Sequence, residues 1–99
     1  MIKVRTYAIC RTDLHIVDGE LTRPKLPLIL GHEVIGEVIS TGGQTNDLKV
    51  GERVGVPWLG GTCGQCHFCQ IGKENLCDQP TFTSYTQDGG FAENIVTNA

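Results

Sequence analysis

Between Gly60 and Cys77 the chain reads GGTCGQCHFCQIGKENLC, so Cys63, Cys66 and Cys69 stand three residues apart and Cys77 follows eight residues later. Four of the five cysteines thus fall within fifteen positions. Turns of the Cys-x2-Cys type bring successive sulfurs onto one ion, and a tetrahedral site of four thiolates places each at about 2.3 Å from zinc. Gly64 sits inside the first such turn, where the chain bends hard. The expectation is a loop-rich metal lobe over residues 58–80. Zinc is the first choice, and a disulfide pair, an iron site or unligated core thiols are the other uses of such a cluster. His67 lies between two of the cysteines, but four thiolates already complete the shell, and a surface position is expected for it.

Ninety-nine residues make one domain that buries about two thirds of its unfolded surface, so a bound metal would matter to its stability. Eight basic against eleven acidic side chains leave a formal charge of −3, a balance that argues against nucleic acid as a partner. The longest apolar run, residues 26–30 with Pro27 inside it, is far too short to cross a bilayer, and no charged and apolar leader precedes it. A soluble, cytoplasmic protein with no membrane partner is expected. Thirteen glycines and four prolines, with few segments of helical period, point to short strands joined by turns. The domain should be mainly β.

Residues 2–8 alternate in part, with Ile2 and Val4 on one face and Lys3 and Arg5 on the other, the period of a half-buried strand. A polar cluster follows, in which Thr12 or Asp13 could cap a short helical turn running to about Asp18. Pro24 and Pro27 forbid regular pairing between Gly19 and Pro27, and residues 28–30 deliver an apolar anchor just before Gly31-His32-Glu33. A strand is expected over 34–40, ending at the turn signal Thr41-Gly42-Gly43, with a polar loop over 44–49 and a short strand over 53–56. One helical turn over 72–76 would present Cys77. After a turn at Asp88-Gly89-Gly90, a last strand is expected over 91–97.

The fifth cysteine alone says little, because a lone cysteine in a strand is more often a small buried hydrophobe than a ligand. Its neighbours change the balance. Cys10 is followed by Thr12, Asp13 and His15, and His32 stands with Glu33 after a glycine. A catalytic zinc uses three protein ligands and an open position, a carboxylate that orients its histidine, and a hydroxyl that relays a proton toward solvent.

These motifs resemble the zinc-containing alcohol dehydrogenases of the medium-chain dehydrogenase/reductase superfamily. The resemblance rests on Cys10-Arg-Thr-Asp-Leu-His15, on Leu30-Gly-His-Glu-Val34 followed by Gly36, on Lys49-Val-Gly-Glu-Arg-Val54, on the four-cysteine lobe and on Asp88-Gly-Gly-Phe-Ala-Glu93. It covers essentially all of the chain. It implies a GroES-like (chaperonin-10-like) β-barrel, incomplete here, as the catalytic domain of a longer enzyme that moves hydride between a primary or secondary alcohol and NAD or NADP. It further implies that Cys10 and His32 are two of three protein ligands of a catalytic zinc, with Glu33 the carboxylate behind the metal and Asp13 the partner of His32. Thr12 would accept the alcohol's proton and His15 would pass it on. Arg11 would contact the cofactor pyrophosphate, or else be a solvated charge. Trp58 would wall the substrate pocket, or else pack beside Pro57. Cys63, Cys66, Cys69 and Cys77 would hold a structural zinc.

In this family the third catalytic ligand and the cofactor site lie beyond residue 99, and the chain carries no Gly-x-Gly-x-x-Gly and no βαβ alternation. The expectation is a catalytic-domain fragment lacking both ends and inactive by itself. The alternatives are a free-standing zinc-binding or interaction module and a storage or redox protein. Loss of the strands that flank residues 2–8 would leave an open sheet edge and drive self-association into a homo-oligomer.

Overall fold

A computed structural model of the chain describes residues 1–45 and 47–99. The polar loop expected over 44–49 includes Asn46, which lies outside the described residues. Alternating apolar side chains give three strands where the pattern places them: β1 (Ile2–Ala8), β2 (Glu33–Val38) and β3 (Arg53–Val56). Between β1 and β2 lies α1 (Arg11–Val17). After β3 come β4 (Leu59–Gly61), the short helix α2 (His67–Gln70), a 3-10 turn (Glu74–Leu76), β5 (Thr81–Phe82) and β6 (Asn94–Ile95). The strands form an antiparallel sheet in the order β3-β2-β1-β6 and a separate β4-β5 pair. This is a mainly β domain whose sheets stay open among the described residues, as an incomplete barrel requires.

The sheet buries Ile2, Val34, Val56 and Ile95, with Val4 and Val54 packed against them. Each of the four buried side chains contributes about 1.5–3 kcal/mol by leaving water, and the half-buried Val4 and Val54 less. Gly36 is needed in β2 because a Cβ there would stand 2.3 Å from Ile2 Cγ2 and 2.6 Å from the Lys3 carbonyl oxygen. The β1–β2 register runs from Ile2 opposite Val38 to Ala8 opposite Glu33 and shifts between Val4 and Thr6, leaving Arg5 as an extra residue on β1. Because the two strands are antiparallel, the end of β1 that leads to Cys10 lies beside the start of β2 that follows His32. That juxtaposition builds the first candidate site.

Three expectations are corrected. β1 is an inner strand, flanked by β2 throughout and by β6 at Ile2 and Lys3, so the open edge is confined to its second half. The strand expected over 91–97 shrinks to Asn94–Ile95, because the amides of Gly89, Gly90 and Phe91 donate instead to the carbonyls of Ile29, Gly31 and Leu30 at 2.7, 2.8 and 2.9 Å. The cap of α1 is Cys10 rather than Thr12 or Asp13, and Asp13 reaches back from the third helical position to accept the Cys10 N–H at 2.9 Å. The helix ends as a Schellman turn. Gly19, at φ 74°, donates to the Ile16 carbonyl and Glu20 to that of His15.

Candidate metal centres

The cysteine lobe hangs from the β4–β5 ladder, where Leu59 faces Phe82 and Gly61 faces Thr81. Gly64 takes φ 71° in the first Cys-x2-Cys turn, a value open to glycine at little cost. α2 closes with a second Schellman turn at Gly72 (φ 75°), in which Gly72 donates to the Cys69 carbonyl and Lys73 to that of Phe68. The 3-10 turn over 74–76 then delivers Cys77, as the sequence suggests. All four sulfurs lie within 4.8 Å of one another, with Cys77 buried and the other three half-buried. Backbone amides point at them: Cys63 N–H at Cys77 Sγ (3.3 Å), Cys66 N–H at Cys63 Sγ (3.3 Å) and Gln79 N–H at Cys77 Sγ (3.4 Å).

The amides of Asp78 and then Cys69 hold the Cys66 thiol down at about 6. The Cys63 amide, helped by that of Gln79, lowers Cys77. Burial and then the hydrogen bond to Cys66 push Cys69 up to about 11. Four sulfurs this close cannot all ionise without a cation between them, and the donor set and spacing suit a tetrahedral divalent ion with thiolate preference. His67 is exposed beside the lobe, in the surface position expected of it.

The second cluster sits at the shared end of β1 and β2. One ligand atom each from Cys10, His32 and Glu33 lies within 4.8 Å of the others, with His32 buried, Cys10 half-buried and Glu33 exposed. Asp13, only 2% exposed, lies behind His32 with its Oδ1 3.3 Å from Nδ1. That is an ion-pair distance whose angle falls short of a full hydrogen bond, so Nδ1 has no hydrogen-bond partner in the strict sense. The contact turns Nδ1 toward Asp13 and leaves Nε2 for a metal. Thiolate, imidazole and carboxylate together are a donor set that zinc accepts, with room for one more ligand. The Gly31 N–H donates to the same Asp13 oxygen at 3.2 Å, fixing the backbone that carries His32.

Around this cluster the other sequence candidates take different places. Thr12 Oγ1 is 3.8 Å from Cys10 Sγ. His15 follows three positions later on α1, hence on the same face, and its Nδ1 pairs with Glu20 Oε2. Arg11 is exposed at the first position of α1. Trp58 lies edge-on to His32, with ring centroids 5.0 Å apart, and stacks on Phe82 at 5.0 Å, with Tyr85 at 5.9 Å. Phe82, Tyr85, Glu20 and Ser84 carry no motif in the sequence: Phe82 stands on the two-residue strand β5, Tyr85 and Ser84 on the turn after it, and Glu20 just past the end of α1. A partly open cavity of about 240 Å³ lies elsewhere, lined by the buried Ile2, Val38 and Val56 and by the exposed Ser40 and Ala99, and takes in no residue of either cluster.

The sequence pattern of the family described as Alcohol dehydrogenase GroES-like domain matches residues 1–99. An alcohol dehydrogenase of Geobacillus stearothermophilus is 44% identical over 94 residues, covering 94% of this chain and 28% of that protein. The solved structure of a cinnamyl alcohol dehydrogenase from Sorghum bicolor superposes with a TM-score of 0.83 at 35% identity, over 93% of this chain and 29% of its own. That of a Helicobacter pylori protein complexed with NADP(H) gives 0.86 at 28% identity, over 97% and 30%. The chain thus spans less than a third of the length of these relatives.

Proposed function

The chain belongs to the alcohol dehydrogenase GroES-like domain family, and from that membership we propose that it is the zinc-binding part of the catalytic domain of an NAD(P)-dependent alcohol dehydrogenase. The observation that carries the proposal is the convergence of Cys10, His32 and Glu33 within 4.8 Å, backed by Asp13. Zinc bound by Cys10 and His32 would lower the pKa of an alcohol toward neutrality. Asp13 orients His32, and Glu33 waits at the exposed side of the ligand set. Thr12, beside Cys10, accepts the alcohol's proton through its hydroxyl. His15, on the same helical face, takes it next and is held toward solvent by Glu20. The exposed guanidinium of Arg11 suits a cofactor phosphate. Trp58, with Phe82 and Tyr85, walls an apolar side of the substrate pocket next to His32. The substrate class is small alcohols and the aldehydes or ketones they become.

The cysteine lobe takes no part in this chemistry. Its four sulfurs leave no open position, so its zinc would contribute folding energy. No helix among the described residues is long and apolar enough to cross a membrane. We place the protein in the cytoplasm, with neither nucleic acid nor membrane as partner, and read its native assembly as a homo-oligomer, supported by the half of β1 that β6 leaves unpaired.

The test is to replace Cys10 by Ala and Thr12 by Val in the protein in which this domain works. Cys10→Ala should cost the second zinc and all turnover. Thr12→Val should keep both zincs yet lower kcat by about 100-fold or more, the usual worth of a positioned proton acceptor. Full turnover in Cys10→Ala would refute the proposal.

A further inference from the structure

Asp13 holds several groups at once. Its Oδ2 takes the Cys10 N–H, and its Oδ1 is shared by the Gly31 N–H at 3.2 Å, His32 Nδ1 at 3.3 Å and the hydroxyl of Ser84 at 3.5 Å. Three of these partners are the two ligands or the residue before one of them. The fourth comes from seventy-one positions away and belongs to none of the motifs that mark the site. Ser84 is wholly buried and takes φ 69°, a left-handed conformation that glycine adopts freely and serine does not. The turn around it leaves no escape. Ser84 N–H donates to the Gln87 carbonyl at 2.8 Å, Thr83 N–H to that of Trp58 at 2.9 Å, and the Phe82 carbonyl collects the amides of Tyr85, Thr86 and Gln87. What serine adds here over glycine is the hydroxyl, and among the described residues that hydroxyl has no acceptor but Asp13.

We infer that Ser84 is a positioning residue for His32, acting through Asp13. Its donated hydrogen bond fixes the Asp13 carboxylate against His32 Nδ1, so that Nε2 faces the metal. This rests on the reading of Cys10, His32 and Glu33 as a metal site.

The test is a titration of the chain, its cysteine lobe filled with zinc, with Co(II), following the cobalt d–d absorption, beside a melting curve for each variant. Ser84→Gly relieves the backbone and removes the hydroxyl, and Ser84→Ala removes the hydroxyl alone. Both should weaken Co(II) binding by about 10-fold, the lower end of what partners of metal ligands are worth, while Ser84→Gly melts at or above the parent temperature. A role in stability alone would move the melting curve and leave the cobalt affinity in place, and that outcome overturns the inference. So does parental Co(II) affinity in Ser84→Gly when His32→Ala has lost it. If His32→Ala also binds as the parent does, the metal-site reading falls and takes this inference with it.

Discussion

Gly89→Ala tests how rigidly the chain holds His32. A methyl group on Gly89 would stand 2.3 Å from the Gly31 carbonyl oxygen, 2.6 Å from that of Leu30 and 2.7 Å from the Leu30 carbonyl carbon. All three are main-chain atoms, so no rotamer change relieves the clash. An unstrained carbon–oxygen contact is about 3.3 Å, which forces the segments around Gly89 and Gly31 apart by about 1 Å. Those segments are joined by three amide–carbonyl bonds of 2.7–2.9 Å. Overpacking costs about 1–3 kcal/mol and each hydrogen bond lost about 1 kcal/mol net, so a total near 3 kcal/mol is expected. That is a large share of a stability of about 5–15 kcal/mol and lowers Tm by about 12–24 °C in a chain of this size. Thermal unfolding followed by circular dichroism reads it, with Gly42→Ala as control, since a Cβ at Gly42 meets nothing within 4 Å. A Gly89→Ala protein that melts within about 3 °C of the parent would show that the two segments part freely, and the argument that they clamp His32 would fail.

Cys66→Ser should remove one zinc per chain by element analysis while leaving the Cys10 cluster able to bind Co(II); loss of both metals would show that the lobe and the sheet fold as one unit. Below the carboxylate range stability should fall, because Lys25, with the Ile29 amide, holds Asp88 below its usual pKa and Arg5 does the same for Glu37. Such lowered groups stabilise fully above their unfolded pKa and lose that contribution as pH drops through the folded one. Lys25→Met should therefore flatten the acid limb of Tm against pH, by under about 1 kcal/mol since Lys25 and Asp88 are 42% and 45% exposed, and an unchanged limb counts against the pair. The 99 residues by themselves should oxidise no alcohol with NAD or NADP, since positioning of the hydride acceptor is worth many kcal/mol of barrier. Turnover that vanishes in Cys10→Ala would reverse that expectation.

What the sequence made legible follows the range over which each residue's environment is set. β1, β2 and β3 are readable because their alternation reflects one buried face, and the cysteine lobe because its ligands are neighbours in the chain. Phe91 looks like a strand residue, yet its amide goes to Leu30 and its ring lies 4.8 Å from Tyr7, partners sixty or more positions away. β4 was unreadable for the opposite reason. Two of its three residues are glycines with no strand preference, and they are there because side chains crowd them: Gln87 Nε2 would stand 2.4 Å from a Cβ at Gly60, and Asn98 and Thr81 each 2.8 Å from one at Gly61. Ser84 gave no signal at all, since its surroundings are made entirely by residues distant in sequence.

The site's dependence on long-range register is sharpest at Arg5, the extra residue between Val4 opposite Gly36 and Thr6 opposite Ile35. In the sequence it shows only as an alternation that breaks down after Val4. Side chains alternate between faces with a period of two, so one residue more or fewer in β1 reverses every side chain beyond it. The first half of β1 is fixed by Ile2 and Val4 in the core, and the second half by the pairing of Ala8 with Glu33. Deleting Arg5 cannot satisfy both. The core residues bury more apolar surface, so they should keep their places, and the mismatch should fall on the segment leading to Cys10, pulling its sulfur away from His32. The deletion should therefore keep the lobe zinc and lose metal binding at the Cys10 cluster. Arg5→Ala is the control: it removes only the solvent-exposed ion pair with Glu37, which contributes little, and should keep both sites. Zinc analysis and Co(II) titration distinguish them. If the deletion retains both metals, the strand absorbs a lost residue without moving Cys10, and the bulge at Arg5 is not what brings the two halves of the site together.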